Sequence, residues 1–296
     1  MIFLRRFTAS LAVLAILYAG LASAALNDVL PADFVALPEG RTTMSFYLYD
    51  RQQDGAWTKG QRAGDLHLGS TIAAARLNRF YRLGGWKLAP LVVFSAADMA
   101  LSGNSVPANV KRERSGLSDL RLGGTLWFID NPENRHYLGL NLMTVWPTGR
   151  YDNNEIANPG ENRRRQSLML GWVRGLNDDL TLELTPEVAW YGINSENYPG
   201  NVRLEQRRTL SLTGYLRYRF SPEWQGFIGA QANEGGETML NEVSQNNPIH
   251  GHRYFLGGTY SIDKNNSINL RVAGDASLTT GLKTTREIVL RWGWVH

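Results

Sequence analysis

The sequence predicts an all-β protein: a transmembrane antiparallel β-barrel of about 12 strands, preceded by a cleaved signal peptide. Three observations lead to this fold class. The chain begins with an export signal, apolar residues then recur at every second position, and the connections alternate between short and long. An apolar face beside a polar face is the signal expected of strands that lie between lipid and a polar lumen.

The first 24 residues have the pattern of a secretory signal. Two arginines, Arg5 and Arg6, precede an apolar stretch over residues 11–21, and the stretch ends in Ala22-Ser23-Ala24. This apolar stretch is shorter than the ~20 residues that a membrane-spanning helix needs. We therefore expect export and cleavage after Ala24 rather than a retained anchor.

Composition narrows the function classes for the remainder of the chain. The 296 residues include no cysteine, so disulfides, thiolate metal sites and a lipid-modified N-terminal cysteine are excluded. The net charge of +4 falls to +2 once Arg5 and Arg6 leave with the signal, which is too balanced for a nucleic-acid-binding protein. We expect a periplasmic segment over residues 25–41 and an outer-membrane barrel over residues 42–296, in a Gram-negative bacterium.

The predicted strands differ in the strength of their alternation. In the segment 180–190, Leu180 and Leu182 alternate with Thr181 and Glu183, and successive side chains of a strand point to opposite faces. Equally clear segments lie near residues 138–146, 209–220, 268–272 and 288–294. Weaker ones are 42–51, 64–76, 79–95, 117–129, 163–175, 223–234 and 252–262. The division of residues 72–95 stays open.

The connections orient the barrel. Short links lie at residues 83–85, 130–135, 176–179, 221–223 and 263–266, and long ones at 96–116, 148–162, 192–206 and 235–251. Outer-membrane barrels have short periplasmic turns and longer external loops, so both termini fall in the periplasm and the strand number is even. The alternative is a soluble lipocalin-like or sandwich protein, whose apolar face points inward and whose turns are of similar length.

Strand parity places several charged residues in the lumen. The predicted lumen and selectivity residues are Asp119, Arg121, Glu183, Glu187, Arg217, Arg219, Arg271, Asp275 and Arg291. Buried unpaired charges are costly, so these groups are either hydrated by a channel or paired across a packed interior. The first alternative predicts a selective path for a polar or anionic solute, and the second a sealed barrel.

A second set of basic residues precedes the strands that run from the outer side toward the periplasm. The predicted external rim consists of Arg112, Arg114, Arg163, Arg164, Arg165, Arg207, Arg208, Arg253 and Arg286. Cations at this position attract anionic solutes or bind lipopolysaccharide phosphates, and we favour the lipopolysaccharide contact.

The chain ends with alternating large side chains that resemble the C-terminal assembly signal of outer-membrane barrels. The predicted signal comprises Ile288, Leu290, Trp292, Trp294 and His296, and histidine stands where phenylalanine or tryptophan is usual. This resemblance implies contact with the outer-membrane assembly machinery as well as with lipid.

Internal stretches resemble the outer-membrane family named for the meta-pathway of phenol degradation, whose members are regarded as transporters. The matching stretches are residues 116–120, 124–128, 137–139, 146–152, 160–162, 170–173, 190–192 and 235–238. The resemblance implies a barrel that passes small aromatic or hydrophobic compounds.

We therefore expect a channel for passive uptake of small molecules, with no cofactor and no enzymatic activity. One alternative is a structural or surface-interaction barrel with a salt-bridged interior. A barrel hydrolase is the third, although no G-x-S-x-G motif accompanies the histidines.

Overall fold

The structure, a computed structural model, describes residues 28–296, so the predicted signal peptide lies outside the described residues. Within this range, no helix is long and apolar enough to cross a membrane. The described residues form strands numbered in chain order: β1 (Thr42–Thr58), β2 (Gln61–Arg79), β3 (Tyr81–Leu83), β4 (Trp86–Ser102), β5 (Glu113–Leu117), β6 (Leu120–Asn131), β7 (His136–Trp146), β8 (Arg165–Gly175), β9 (Leu180–Tyr191), β10 (Asn194–Asn197), β11 (Val202–Gln206), β12 (Thr209–Arg219), β13 (Trp224–Gly235), β14 (Thr238–Leu240), β15 (Val243–Ser244), β16 (Ile249–Ser261), β17 (Asn266–Leu278) and β18 (Gly281–Val295).

Twelve of these described strands close into an antiparallel barrel, which confirms the predicted fold class. They follow one another around the barrel as β1, β2, β4, β6, β7, β8, β9, β12, β13, β16, β17 and β18, and β18 pairs with β1 to close it. Closure removes the unpaired strand edges that cannot exist in lipid. The short strands β3 and β5 pair with the two ends of β4.

The two faces of each strand match the alternation in the sequence. On β12, Leu210 and Leu212 are 47% and 49% exposed, whereas Thr209, Ser211 and Thr213 between and beside them are buried. The exposed face contacts lipid and the buried face lines the lumen. Aromatic pairs such as Phe46 with Trp292, 5.5 Å between ring centroids, lie on the lipid face near the periplasmic end, where barrels carry an aromatic girdle.

Two hairpins are longer than the sequence predicts. Strands β1 and β2 meet at the tight turn Lys59-Gly60, where φ is +49° and +75°, values that suit a type I′ hairpin turn. Strands β17 and β18 are likewise separated by only residues 279–280. The predicted strand 42–51 stops short because the outer part of β1 carries few large apolar residues, and apolar alternation is needed only where a strand faces lipid.

The open division of residues 72–95 is settled by a turn at Gly84-Gly85. Strand β2 continues to Arg79, β3 follows, and β4 begins at Trp86. The predicted strand 79–95 is therefore wrong at its start, because it runs through this turn. Gly84 has φ of +58°, a left-handed conformation that glycine adopts without steric cost.

The external loops fold over the mouth of the barrel. Strands β10, β11, β14 and β15 form a small separate sheet that ties two of these loops together. Val106, Val110, Ile156 and Tyr198 of the loops pack with apolar residues of the upper barrel wall, including Leu68. Apolar burial thus holds the loops inward instead of leaving them solvated.

The N-terminal segment is found in a different place from the one expected. We expected residues 25–41 in the periplasm, but residues 28–37 enter the lumen from the periplasmic end. Val29, Phe34 and Ala36 pack there in one apolar cluster with lumen residues that include Trp127. We call residues 28–37 the N-terminal plug. The expected periplasmic position is therefore wrong for residues 28–37. They lie in the lumen because burial of Val29, Phe34 and Ala36 removes apolar surface from water.

Candidate functional site: the barrel lumen

Two connected cavities occupy the lumen between the external loops and the N-terminal plug. The central cavity has a volume of about 210 Å³ and reaches from Asp28 and Phe34 of the plug to the outer ends of β16–β18. The outer cavity has a volume of about 140 Å³ and lies below the external loops. Arg121 belongs to the lining of both. The two cavities therefore adjoin beside this side chain.

The first anchor of the plug is a bidentate ion pair. Arg271 Nη1 and Nη2 donate to Asp28 Oδ1 and Oδ2 at 2.8 and 2.7 Å. Arg271 is fully buried, and its Nη2 also donates to Glu287 Oε1 at 2.8 Å. Tyr215 supports the same stretch, since its hydroxyl donates to the carbonyl of Val29 at 2.9 Å. Because these charges are paired and hydrogen-bonded, they avoid the free-energy cost that an unpaired buried charge would carry.

A second anchor holds the middle of the plug. Arg291 Nη1 donates to Asp33 Oδ1 at 2.9 Å, and Arg76 lies 3.3 Å from the other oxygen of Asp33. On the opposite wall, the backbone N–H of Ala32 donates to Glu183, with 3.0 Å to Oε2. Arg217 pairs with this same Glu183. The predicted lumen pair Glu183 and Arg217 thus holds the plug in place.

An aromatic contact completes the docking of the plug. The indole N–H of Trp127 donates to the carbonyl of Phe34 at 2.9 Å. The Phe34 ring lies on Gly171 of β8, where an added Cβ would overlap the ring. Gly171 is therefore required for the close approach of plug and wall.

Above the plug, one buried carboxylate binds three guanidinium groups. Glu287 accepts from Arg51 Nε at 2.6 Å and from Arg253 Nη2 at 3.2 Å, in addition to Arg271. Arg253 also lies 3.1 Å from Asp275. This network spans β1, β16, β17 and β18, so it links the first and last strands across the barrel closure.

A different arrangement occurs beside the outer cavity, in a group of side chains that we call the outer arginine cluster: Arg121, Arg163 and Arg165. Glu161 lies 3.4 Å from Arg163 Nε and 3.3 Å from Arg165 Nε. Arg163 and Arg165 are 2% and 1% exposed. Arg163 Nη1 and both Nη atoms of Arg165 have no hydrogen-bond partner among the described residues. The cluster is therefore cationic and incompletely satisfied.

Asp119 binds the loop after β7, which contains Glu161 of this site. Its Oδ1 accepts the backbone N–H of Gly149 at 2.8 Å, and its Oδ2 accepts that of Glu161 at 2.7 Å. Both contacts fix the loop after β7, so the predicted lumen residue Asp119 positions Glu161.

The other predicted lumen residues occupy two kinds of position. Those on the lumen wall are Arg121, Glu183, Glu187, Arg217, Arg271, Asp275 and Arg291. Arg219 instead lies exposed at the periplasmic end of β12, 3.2 Å from Asp179. Its expected place in the lumen is wrong because the strand has left the barrel interior at that point.

The predicted external rim divides in the structure. Arg112, Arg164, Arg207, Arg208 and Arg286 are exposed. Arg114, Arg163, Arg165 and Arg253 are turned inward, and Arg114 pairs with Asp152 at 3.2 Å. The expectation of a rim position is wrong for these four, because closeness to the outer end of a strand does not make a side chain exposed. Strand parity alone would have placed Arg165 in the lumen, beside Ser167 and Met169.

The predicted assembly residues lie on the last strand. Leu290 and Trp292 of β18 are both 44% exposed on the lipid face. Ile288 and Trp294 share their parity, and the rings of Trp294 and His296 stack at 5.4 Å.

The alternation of apolar residues did not reveal the plug or its docking residues Asp28, Asp33 and Phe34. A usable signal was present, because Val29-Leu30 and Phe34-Val35 are unusually apolar for a solvated linker and each pair adjoins an aspartate.

Comparison with known proteins supports the architecture. Residues 49–282 match the family described as "Putative MetA-pathway of phenol degradation". The COG4313 outer membrane channel from Pseudomonas putida F1 is 25% identical, with a TM-score of 0.85 over 91% of this chain and 100% of that chain.

Two autotransporter barrels share the fold alone. The β domain of Bordetella BrkA is 13% identical, with a TM-score of 0.51 over 86% of this chain and 99% of its own. The translocator domain of NalP from Neisseria meningitidis is 12% identical, with a TM-score of 0.51 over 89% and 90%. No curated protein matches the chain.

Proposed function

The chain belongs to the outer-membrane β-barrel family of the MetA pathway of phenol degradation, and from this premise we propose that it is a channel for passive uptake of small aromatic or hydrophobic molecules. The observation that carries the proposal is the pair of adjoining cavities between the external loops and the N-terminal plug. The similar barrel from Pseudomonas putida F1 is named as an outer membrane channel, which supports the same role.

The walls of this path suit solutes of mixed polarity. Apolar side chains such as Ile72 and Leu91 line the cavities beside polar ones such as Asn141 and Gln231. The outer cavity lies below the external loops, and Arg121 lies where this cavity adjoins the central cavity. The N-terminal plug lies at the inner end, so passage into the periplasm requires the plug to move.

A second candidate is a structural barrel with a permanently sealed interior. The docking of the plug favours it, because Asp28, Asp33 and the backbone of residues 29–34 all bind the wall. In this case the ion pairs stabilise the barrel and no solute crosses.

Conductance and uptake distinguish the two candidates. Refolded mature protein is inserted in a planar bilayer for single-channel recording, and liposomes containing it are assayed for uptake of phenol and benzoate. Discrete openings together with uptake above protein-free liposomes are expected of the channel. A folded, heat-modifiable barrel with neither property would overturn the channel and favour the sealed barrel.

We also propose that the exposed part of the basic rim contacts lipopolysaccharide. Arg207, Arg208 and Arg286 are exposed on the outer side, where guanidinium groups bind phosphates in bidentate geometry. Contact of the β18 lipid face with the assembly machinery stays a prediction from the sequence.

A further inference from the structure

The outer arginine cluster has more guanidinium groups than carboxylates that pair with them. Glu161 is shared by Arg163 and Arg165, and the guanidinium of Arg121 makes neither a hydrogen bond nor an ion pair with any described residue. Asp119 accepts two backbone N–H groups, and Glu155, which also lines the outer cavity, accepts that of Lys111 at 2.8 Å. Buried guanidinium nitrogens without partners are costly, so an arrangement of this kind is suited to an incoming anion.

The unpartnered nitrogens belong to a defined place in the lumen. Arg121 and Arg163 both line the outer cavity, and Arg163 Nη1 is the atom of that side chain without a partner. Its Nη2 donates to Gln206 at 2.7 Å, and its guanidinium lies 4.7 Å from the centroid of the Tyr191 ring. Arg163 is therefore held rigidly, with one buried nitrogen that has no partner among the described residues.

One part of the wall of the outer cavity is apolar and aromatic, and the remainder is polar, with Gln53, Ser70 and Asn194 among its residues. Leu68, Met99, Val145 and Ile156 line the apolar part, together with Tyr151 and Tyr198. A hydrated inorganic anion gains nothing from such walls, whereas a flat ring buries its faces against them. The cavity thus combines guanidinium groups with a partly apolar wall.

We propose that the outer cavity binds a small aromatic monocarboxylate, with its carboxylate on Arg121 beside Arg163 and its ring against the apolar part of the wall. The inference rests on the proposed function and names its substrate class. A carboxylate accepts paired N–H donors of guanidinium in a planar, charge-assisted geometry. Because Arg121 also lines the central cavity, the same side chain passes the acid from the outer cavity to the central one.

Binding of benzoate to the refolded full-length mature protein in detergent micelles tests this site. We expect Arg121→Met to weaken benzoate binding by roughly 10- to 100-fold, the effect of losing a charge-assisted hydrogen bond. Arg121→Lys retains the charge and recovers most of the binding. Phenol, which lacks the carboxylate, binds both proteins within about twofold, since the apolar wall is unchanged. Isothermal titration calorimetry measures all of these affinities.

Arg82→Gln is the matched control, because Arg82 is exposed at the periplasmic end near Glu39 and its loss also removes one positive charge. Benzoate affinity equal in wild type, Arg121→Met and Arg82→Gln would overturn the site. Equal competition by chloride or phosphate would overturn the aromatic class. Channels that conduct but bind no benzoate would refute this inference alone, whereas loss of both conductance and uptake would refute the proposed function itself.

Discussion

The buried arginines at the two ends of the lumen differ in how completely they are paired. At the periplasmic end, the N-terminal plug supplies acceptors for the arginines of the wall, as Asp28 does for Arg271 at 2.7 and 2.8 Å. At the outer end, Arg163 and Arg165 share Glu161, and three of their Nη atoms have no partner among the described residues, whereas in Arg271 only Nε lacks one. Satisfied buried charges stabilise one closed arrangement, while unsatisfied ones favour an added ligand.

The difference follows from where each partner comes from. The plug is part of the same chain, so its aspartates are present at a high effective concentration and need no external supply. The outer arginine cluster lies beneath the loops, where solutes arrive from outside. One end of the lumen is thus organised for closure and the other for capture.

Disrupting the docking of the plug has the largest expected effect. In Gly171→Leu, the new side chain occupies the space of the Phe34 ring, so the plug is displaced and single-channel conductance rises severalfold. Planar-bilayer recording measures the change. Gly214→Leu is the matched control, because Gly214 is on the lipid face of β12 and a Cβ there meets the flexible end of Leu184 at 3.3 Å and the carbonyl oxygen of Glu183 at 3.8 Å. Unchanged conductance in Gly171→Leu would show that the plug does not close the path.

Removing the main anchor of the plug has a large effect on stability. Arg271→Met leaves Asp28 without its bidentate partner in a partly buried site, and we expect a loss of stability below the ~3–5 kcal/mol that breaking a fully buried ion pair costs. Urea unfolding in detergent measures this loss as a lower free energy of unfolding. Arg286→Met serves as the control, since its pair with Asp50 at 3.0 Å is exposed and contributes only about 0–1 kcal/mol.

A double variant separates the loss of the ion pair between Asp28 and Arg271 from other effects of the two substitutions on stability. Asp28→Asn together with Arg271→Met removes both charges, so it is expected to be less destabilised than the two single losses added together. Strict additivity would contradict the bidentate pair.

The comparison also shows what the sequence reveals about each end. Alternation and loop lengths predicted the closed barrel of twelve described strands. A strand with lipid on one face and a polar lumen on the other alternates apolar and polar residues, and this alternation is visible in the sequence. They also placed Glu183 and Arg271 in the lumen. The plug was missed because it has no period, and its docking depends on partners far away in sequence, such as Ala32 with Glu183. The inward position of Arg163 was missed because the fold of its loop decides its exposure, whereas strand parity alone would have placed Arg165 in the lumen.

Acidification has the smallest expected effect, and it acts at the outer end. The N–H of Asn154 donates to Asp152 Oδ1 at 3.0 Å, and this bond, with Arg114 beside it, holds the pKa of Asp152 below its usual value. A lowered pKa means that the folded loop favours the carboxylate. Its contribution is therefore complete above about pH 4, the ordinary pKa of aspartate, and is lost only as the pH falls through the lowered value.

Hydrogen exchange of residues 150–160 checks this dependence at the outer end. At pH 6, we expect the wild-type loop to be more protected than the loop of Asp152→Asn, because the variant lacks the carboxylate throughout. Well below pH 4 the two proteins converge, since the wild-type side chain is then protonated too. Asp263→Asn, in a periplasmic turn, is expected to leave this loop unchanged. A difference that persists at low pH would mean that the charge of Asp152 is not what holds the loop over the outer cavity.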